Sequence, residues 1–248
     1  FITLNIVKAI GRGFNPKIAL KLLNESNILE IINIEDYLGN NKRKIMTAKS
    51  RLIGTNGKAR KSIESAAALL IAAKHPVISV NGNAAALVPK ELAELSKAIN
   101  APLEVNIFHK SKQRESKIKK YLMKHGANNI LLPDKKFKIK YLESNRKYVS
   151  PNGIFKADVV LVPLEDGDRA EALIKNNKKV ITIDLNPLSR TAQKATITIV
   201  DNITRAMPLL IDKIKEYKKY NKKKLNKIIK NYDNINELNN AIKTIRKS

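Results

Sequence analysis

Three apolar runs in the second half of the chain each end in a polar cluster, and this arrangement limits the available folds more than any other feature. They are Val159–Val162 followed by Pro-Leu-Glu-Asp-Gly-Asp-Arg, Val180–Ile183 followed by Asp-Leu-Asn-Pro-Leu-Ser-Arg-Thr, and Thr196–Val200 followed by Asp-Asn-Ile. Short Val/Ile runs without strict alternation suit strands covered on both faces, as in parallel sheets. Side chains at the carboxyl ends of such strands converge on one crevice, where α/β sheets build nucleotide sites.

The same alternation extends over most of the chain. Strands are expected at 77–80, 103–108, 130–132, 159–162, 180–184 and 196–200, and helices at 89–99, 112–124, 169–176 and 204–217, with an irregular basic stretch at 133–149. The fold class is therefore α/β, a doubly wound, Rossmann-like parallel sheet. A division after residue 65 separates residues 1–65 from an α/β domain over 66–248. Upstream of it, Asn15-Pro16 caps a helix to Leu23, a β-branched run follows at 28–34, and Gly54-Thr55-Asn56-Gly57 joins two basic helical segments.

Composition narrows the chemistry. With no Cys, disulfides, thiolate zinc sites and a Cys nucleophile are excluded, which suits a reducing cytoplasm. No apolar run approaches the roughly 18 residues of a membrane span, and no signal-like segment is visible in the given sequence. The formal net charge of +26 fits two explanations, a basic surface for nucleic acid or a Lys/Asn-rich composition bias such as that around residues 217–227.

Neither common nucleotide fingerprint is present, since no Gly-x-Gly-x-x-Gly follows a strand and no Gly-x-x-x-x-Gly-Lys-Ser/Thr occurs. Three strand-end clusters remain as candidate cradles: Asn81-Gly82-Asn83, Glu165 to Arg169, and Asp184-Leu185-Asn186 with Arg190-Thr191. From the residues alone, Asp184 and Asn186 serve equally well as turn caps before Pro187, and Asn81–Asn83 as a plain turn. Glu165, Asp166 and Asp168 repel one another unless a cation or an ammonium shares the site, or they form the acidic first turn of a helix.

Two resemblances organise these readings. The segment from Val7 to Pro16, Ala19-Leu-Lys-Leu-Leu, and Arg51-Leu-Ile-Gly-Thr-Asn-Gly-Lys-Ala-Arg-Lys-Ser-Ile-Glu resemble the second KH domain of archaeal ribosome-assembly KH proteins, over about residues 6–65. That resemblance implies a partial KH-like α+β segment whose Gly54, Thr55, Asn56, Gly57 and Lys58 contact RNA. Thr55 and Asn56 replace the basic residue usual between the glycines, and the closing KH strands are missing.

The blocks His75 to Asn83, Ala86-Leu-Val-Pro-Lys-Glu, Ala157 to Arg169, Asp184 to Ala192, and Ile199-Val-Asp-Asn-Ile are similar to archaeal phosphopantothenate synthetases, the 4-phosphopantoate–β-alanine ligases, over about residues 66–248. This resemblance implies a homodimeric, ATP-dependent ligase of coenzyme A biosynthesis that makes 4′-phosphopantothenate, AMP and pyrophosphate through an acyl-adenylate. It places ATP at Asp184, Leu185, Asn186, Arg190, Thr191, Asn202 and Ile203.

Asp166, Asp168 and Arg169 are the candidate catalytic residues: the two aspartates, with Glu165, hold Mg²⁺ or the β-alanine amine, and Arg169 offsets their charge. Asn81, Gly82, Asn83 and Glu165 are the candidate substrate residues. In the family a further N-terminal segment supplies Arg contacts to ATP, and here the KH-like piece stands in its position; each lost contact costs about 1.5–3 kcal/mol. Three readings are open: an active ligase with a KH appendage, a degenerate or chimeric ligase fold, and a KH-type RNA-binding assembly protein.

Overall fold

The structure, a computed structural model, describes residues 59–108 and 111–247. In chain order its strands are β1 (Pro76–Val80), β2 (Leu103–Val105), β3 (Ile130–Leu131), β4 (Asp134–Lys138), β5 (Tyr148–Val149), β6 (Val159–Leu161), β7 (Lys179–Ile183) and β8 (Ile197–Ile199). Six of them form one parallel sheet in the order β3-β2-β1-β6-β7-β8. The order reverses between β1 and β6, which sets the topological switch point there.

The helices are α1 (Arg60–Ala72), α2 (Gly82–Leu87), α3 (Pro89–Ile99), α4 (Lys112–Lys124), α5 (Gly167–Lys175), α6 (Arg190–Lys194), α7 (Ile203–Tyr217), α8 (Lys222–Lys230) and α9 (Asn234–Lys247). Most begin at a side-chain cap: Asn81, Ser111, Ser189, Asn202 and Asn221 each accept from an amide of the first turn. The doubly wound class read from the sequence is the observed one, and helices 89–99 and 112–124 lie where expected.

Strand alternation divides the core. Ile78, Val80, Leu103, Val105, Leu161, Ile181 and Ile183 face the layer that contains α1, α3 and α7. Val77, Val160, Val162 and Val180 face the opposite layer with Leu173 of α5, Ile154 and Val149. Ser79, Glu104 and Thr182 alternate with the first set, so this second face carries buried polar groups.

Four expectations change. Helix α1 runs unbroken through residue 65, and its Ala66, Ala67 and Ala68 are fully buried in the main core, so the expected division falls inside an element of the α/β body. The stretch at 133–149 is a two-stranded antiparallel hairpin, β4 with β5, plus one 3₁₀ turn at Asn145–Lys147. Asn81-Gly82-Asn83 opens a helix, α2, where a turn was one of the readings.

Finally, the Lys-rich tail forms α8 and α9. Leu225 is buried, with Ile228 and Ile229 packed beside it. The KH-like turn at Gly54–Gly57, Lys58 and the whole KH-like fold lie outside the described residues. Among the described residues no helix is long and apolar enough to cross a membrane.

Candidate functional site

The carboxyl ends of β1, β6, β7 and β8 are adjacent because the strands are. Asn81, directly after β1, donates its side-chain amide to the carbonyls of Pro163 (3.1 Å) and Leu164 (2.9 Å) after β6. Its Oδ1 accepts from the Ala84 amide at 2.9 Å. One side chain therefore ties the two strand ends that flank the switch point. Leu164 has φ +54°, a left-handed conformation uncommon for a residue with a branched side chain and of the kind concentrated at functional sites.

Behind this crevice lies a buried charge network. The Glu165 side chain, 1% exposed, accepts from Arg146 Nη2 at 2.7 Å and Arg169 Nη1 at 2.5 Å, and its Oε1 accepts from the Asp166 amide at 2.8 Å. Arg169, also 1% exposed, donates to Ser79 Oγ at 3.0 Å, while its Nε and Nη2 have no hydrogen-bond partner. Burial lowers its pKa, against the opposing pull of Glu165. Arg146 continues outward to Asp166 Oδ2 at 2.7 Å, and Asn106 brackets its backbone and side chain.

Glu104, paired in register with Ser79, lies on the same face. It is fully buried and accepts from the Ser150 amide at 3.0 Å and the Ile154 amide at 2.6 Å. Burial raises its pKa to about 7, against those amides and the Arg169 charge. A carboxyl raised from 4.5 is protonated in the fold where the unfolded chain has already lost the proton. Stability from this group is therefore full below about pH 4.5 and falls as pH rises through 7. Glu104→Gln removes the titration, so the stability advantage of the native chain over this variant should shrink by roughly 2–4 kcal/mol between pH 4.5 and 8. Urea unfolding at the two pH values checks it, and a constant difference would contradict it.

The nucleotide candidates occupy the other half. Asp184 follows β7, and its Oδ1 accepts from the Asn186 amide (2.9 Å) while its Oδ2 accepts from Ser189 Oγ (2.5 Å). Asn186 Oδ1 accepts from the Leu188 amide at 2.9 Å. Both residues thus build the turn, and each carboxylate oxygen of Asp184 keeps a lone pair for another donor. Leu185 is 48% exposed beside them. After β8, Asn202 Oδ1 accepts from the Thr204 amide and hydroxyl at the start of α7, and Ile203 is buried.

Arg190 and Thr191 begin α6 but turn toward α5. The Thr191 hydroxyl donates to the Glu165 carbonyl at 2.7 Å. Arg190 pairs with Asp168 and with Glu171, 2.5 Å from Nη2, and holds the Glu171 carboxyl down to about 2. A Cβ on Gly167 would stand 2.6 Å from Arg190 Cβ, so only glycine lets the arginine stem cross the start of α5.

Asp184, Leu185, Asn186 and Asn202 are thereby gathered on neighbouring strand ends. Asp166 and Asp168 are exposed on the α5 side, and Glu165 and Arg169 point inward, away from solvent. Sequence reasoning missed Glu104, Ser79 and Asn106. A lone carboxylate in Leu103-Glu104-Val105 was the available signal, since a buried charge needs partners. His109, to which no role is assigned, lies outside the described residues.

A cavity of about 580 Å³ adjoins the β2–β3 side, lined by Ser111, Lys112, Glu115 and Asn145 among others. Among the described residues no group of three or more His, Asp or Glu could hold a metal ion. Asp166 and Asp168 suit a Mg²⁺ that arrives on a nucleotide, which takes only one or two carboxylates from protein.

A family model for phosphopantothenate/pantothenate synthetase matches residues 58–248. The chain is 48% identical over 191 residues to the 4-phosphopantoate–β-alanine ligase of Thermococcus kodakarensis, covering 76% of this chain and 72% of that protein. The ligase of the same name from Methanosarcina mazei is 48% identical over 185 residues, 74% of this chain and 72% of that one. A KH domain-containing protein of Methanocaldococcus jannaschii is 49% identical over 84 residues, about a third of either protein (34%), so that likeness is to a part only.

Proposed function

The chain belongs to the phosphopantothenate/pantothenate synthetase family, and on that premise we propose that it is an ATP-dependent 4-phosphopantoate–β-alanine ligase of coenzyme A biosynthesis. In that reaction the carboxylate of 4-phosphopantoate attacks the α-phosphorus of ATP and pyrophosphate leaves. The β-alanine amine then attacks the acyl carbon, the amide forms, and AMP leaves with the acyl–oxygen electron pair.

The observation that carries the reading is the gathering of Asp184, Leu185 and Asn202 at the ends of the paired strands β7 and β8. The remaining lone pairs of Asp184 suit ribose hydroxyls, exposed Leu185 and the backbone at Ile203 suit an adenine, and Asn186 and Thr191 fix the loop between. Arg190, 57% exposed, exchanges its carboxylate partners for phosphate. That exchange releases Asp168, which with Asp166 takes the β-alanine ammonium or the Mg²⁺ that neutralises the triphosphate. Asn81, Gly82 and Asn83 line the substrate side of the crevice. Glu165 and Arg169 act as positioning residues, because their charges are spent on each other and on Arg146.

A coupled assay of AMP release tests this. Turnover should require ATP, 4-phosphopantoate and β-alanine together, and AMP release independent of either acid would refute it. Asp166→Asn should raise the KM for β-alanine roughly 10-fold or more and alter the Mg²⁺ dependence; unchanged values for both would remove Asp166 from the site.

The KH-containing relative supports a second activity for the N-terminal part, RNA contact through Gly54, Thr55, Asn56, Gly57 and Lys58. We place the division between the parts ahead of α1 and the protein, as a homodimer, in the cytoplasm. If the N-terminal part binds RNA, the salt slope of RNA affinity should be steeper for the whole chain than for residues 58–248.

A further inference from the structure

We propose that Arg114 binds the phosphomonoester of 4-phosphopantoate and is the residue that distinguishes it from unphosphorylated pantoate. This rests on the ligase reading and adds to it the residue that recognises the substrate's far end. Six arginine side chains are described, and five engage a carboxylate: Arg60 with Glu64, Arg146 and Arg169 with Glu165, Arg190 with Asp168 and Glu171, and Arg205 with Asp201. Arg114 is the sixth, and among the described residues its guanidinium has no hydrogen-bond or ion-pair partner.

Arg114 is exposed, and its position is what singles it out. Arg114 lies in the first turn of α4, whose Ser111 cap accepts its amide at 3.3 Å, yet its side chain reaches across to the end of β1. Nη2 lies 3.4 Å from where a Cβ on Gly82 would be. An unpaired planar cation therefore stands over the strand end at the switch point, where doubly wound sheets take their ligands.

The two ends of the substrate fix the direction in which it must lie. 4-Phosphopantoate carries its carboxylate at one end and its phosphate at the other. The carboxylate must meet the α-phosphate of ATP, whose candidate residues follow β7 and β8. The phosphate then points past β6 to the end of β1, where the Arg114 guanidinium stands beside Gly82. A guanidinium offers two parallel N–H donors to a phosphate, a geometry that lysine lacks.

The test uses the full chain, with Arg114→Met and Arg114→Lys. Arg114→Met should raise the KM for 4-phosphopantoate roughly 10- to 100-fold, leave the KM for β-alanine unchanged, and reduce the preference over pantoate by the same factor. Arg114→Lys should recover part of the loss. Calorimetric titration with 4-phosphopantoate gives a second readout that needs no turnover. Binding by the native chain that Arg114→Met leaves intact, with discrimination unchanged, would overturn the assignment and spare the ligase reading. A native chain that binds no 4-phosphopantoate would overturn both.

Discussion

Glu165→Ala is expected to lower the stability of the α/β body by about 3–5 kcal/mol. The reason is what remains after the truncation. Arg146 and Arg169, 5% and 1% exposed, would face each other across a space the carboxylate had filled. Arg169 already has two guanidinium nitrogens without hydrogen-bond partners, so Glu165 and Ser79 are what offset the cost of burying it. For a body of this size the loss corresponds to a fall in melting temperature of about 6–20 °C.

Pairing Glu165→Leu with Arg169→Met should cost less than Glu165→Ala alone, because charges of both signs leave the interior together. Thermal unfolding of the three proteins, followed by circular dichroism, decides it. A change under about 1 kcal/mol for Glu165→Ala would mean that the two arginines are not buried against each other.

Gly153→Ala is the second large effect, and it is steric. A Cβ at 153 would fall on Glu104 Oε2 and stand 3.1 Å from both Glu104 Cδ and Leu131 Cδ1. Glu104 cannot give way freely, because the Ser150 and Ile154 amides hold both of its oxygens and no water surrounds a fully buried side chain. Displacing it would leave a buried carboxyl and two amides unsatisfied, a cost of about 2–4 kcal/mol. The Ser150–Ile154 turn would move with it, and with the turn the approach of Glu104 to Arg169. Reduced ligase turnover is therefore expected beside the lower urea midpoint. Combining Gly153→Ala with Glu104→Ala, which clears the space, should be far less than additive; full additivity would contradict the contact.

These two effects turn on contacts that no local pattern revealed, whereas much of the fold was legible. Helix Pro89–Ile99 starts at a proline and ends before a left-handed Asn100, both local signals. Val/Ile runs marked β1 and β6 to β8 because parallel strands are covered on both sides. Helices α2 and α6 escaped because each is six residues or fewer and begins in turn-like residues. The β4 and β5 hairpin escaped because Asp134-Lys-Lys-Phe-Lys exposes most of its side chains and shows no apolar alternation. Helix α8 read as a Lys/Asn-rich composition bias because only Leu225, Ile228 and Ile229 mark the face that meets the core.

The site divides in the same way. The strand-end placement of Asp184, Asn186 and Asn202 was legible because a strand end and its cap are local. The inward turn of Glu165 was not, since it depends on Arg146, 19 residues away, and on Arg169 reaching Ser79 over a separation of 90 residues. The position of Arg114 beside Gly82 likewise follows from how β2 and its crossover helix pack, not from spacing along the chain.

The most direct measurement is a crystal structure of the full chain with 4-phosphopantoate and a non-hydrolysable ATP analogue. The ribose should contact Asp184 at the end of β7, with the nucleotide reaching Asn202 after β8 and the Arg190 guanidinium moved from Asp168 and Glu171 to a phosphate. A nucleotide seated away from the carboxyl ends of β7 and β8, with Arg190 still paired to both carboxylates, would contradict it.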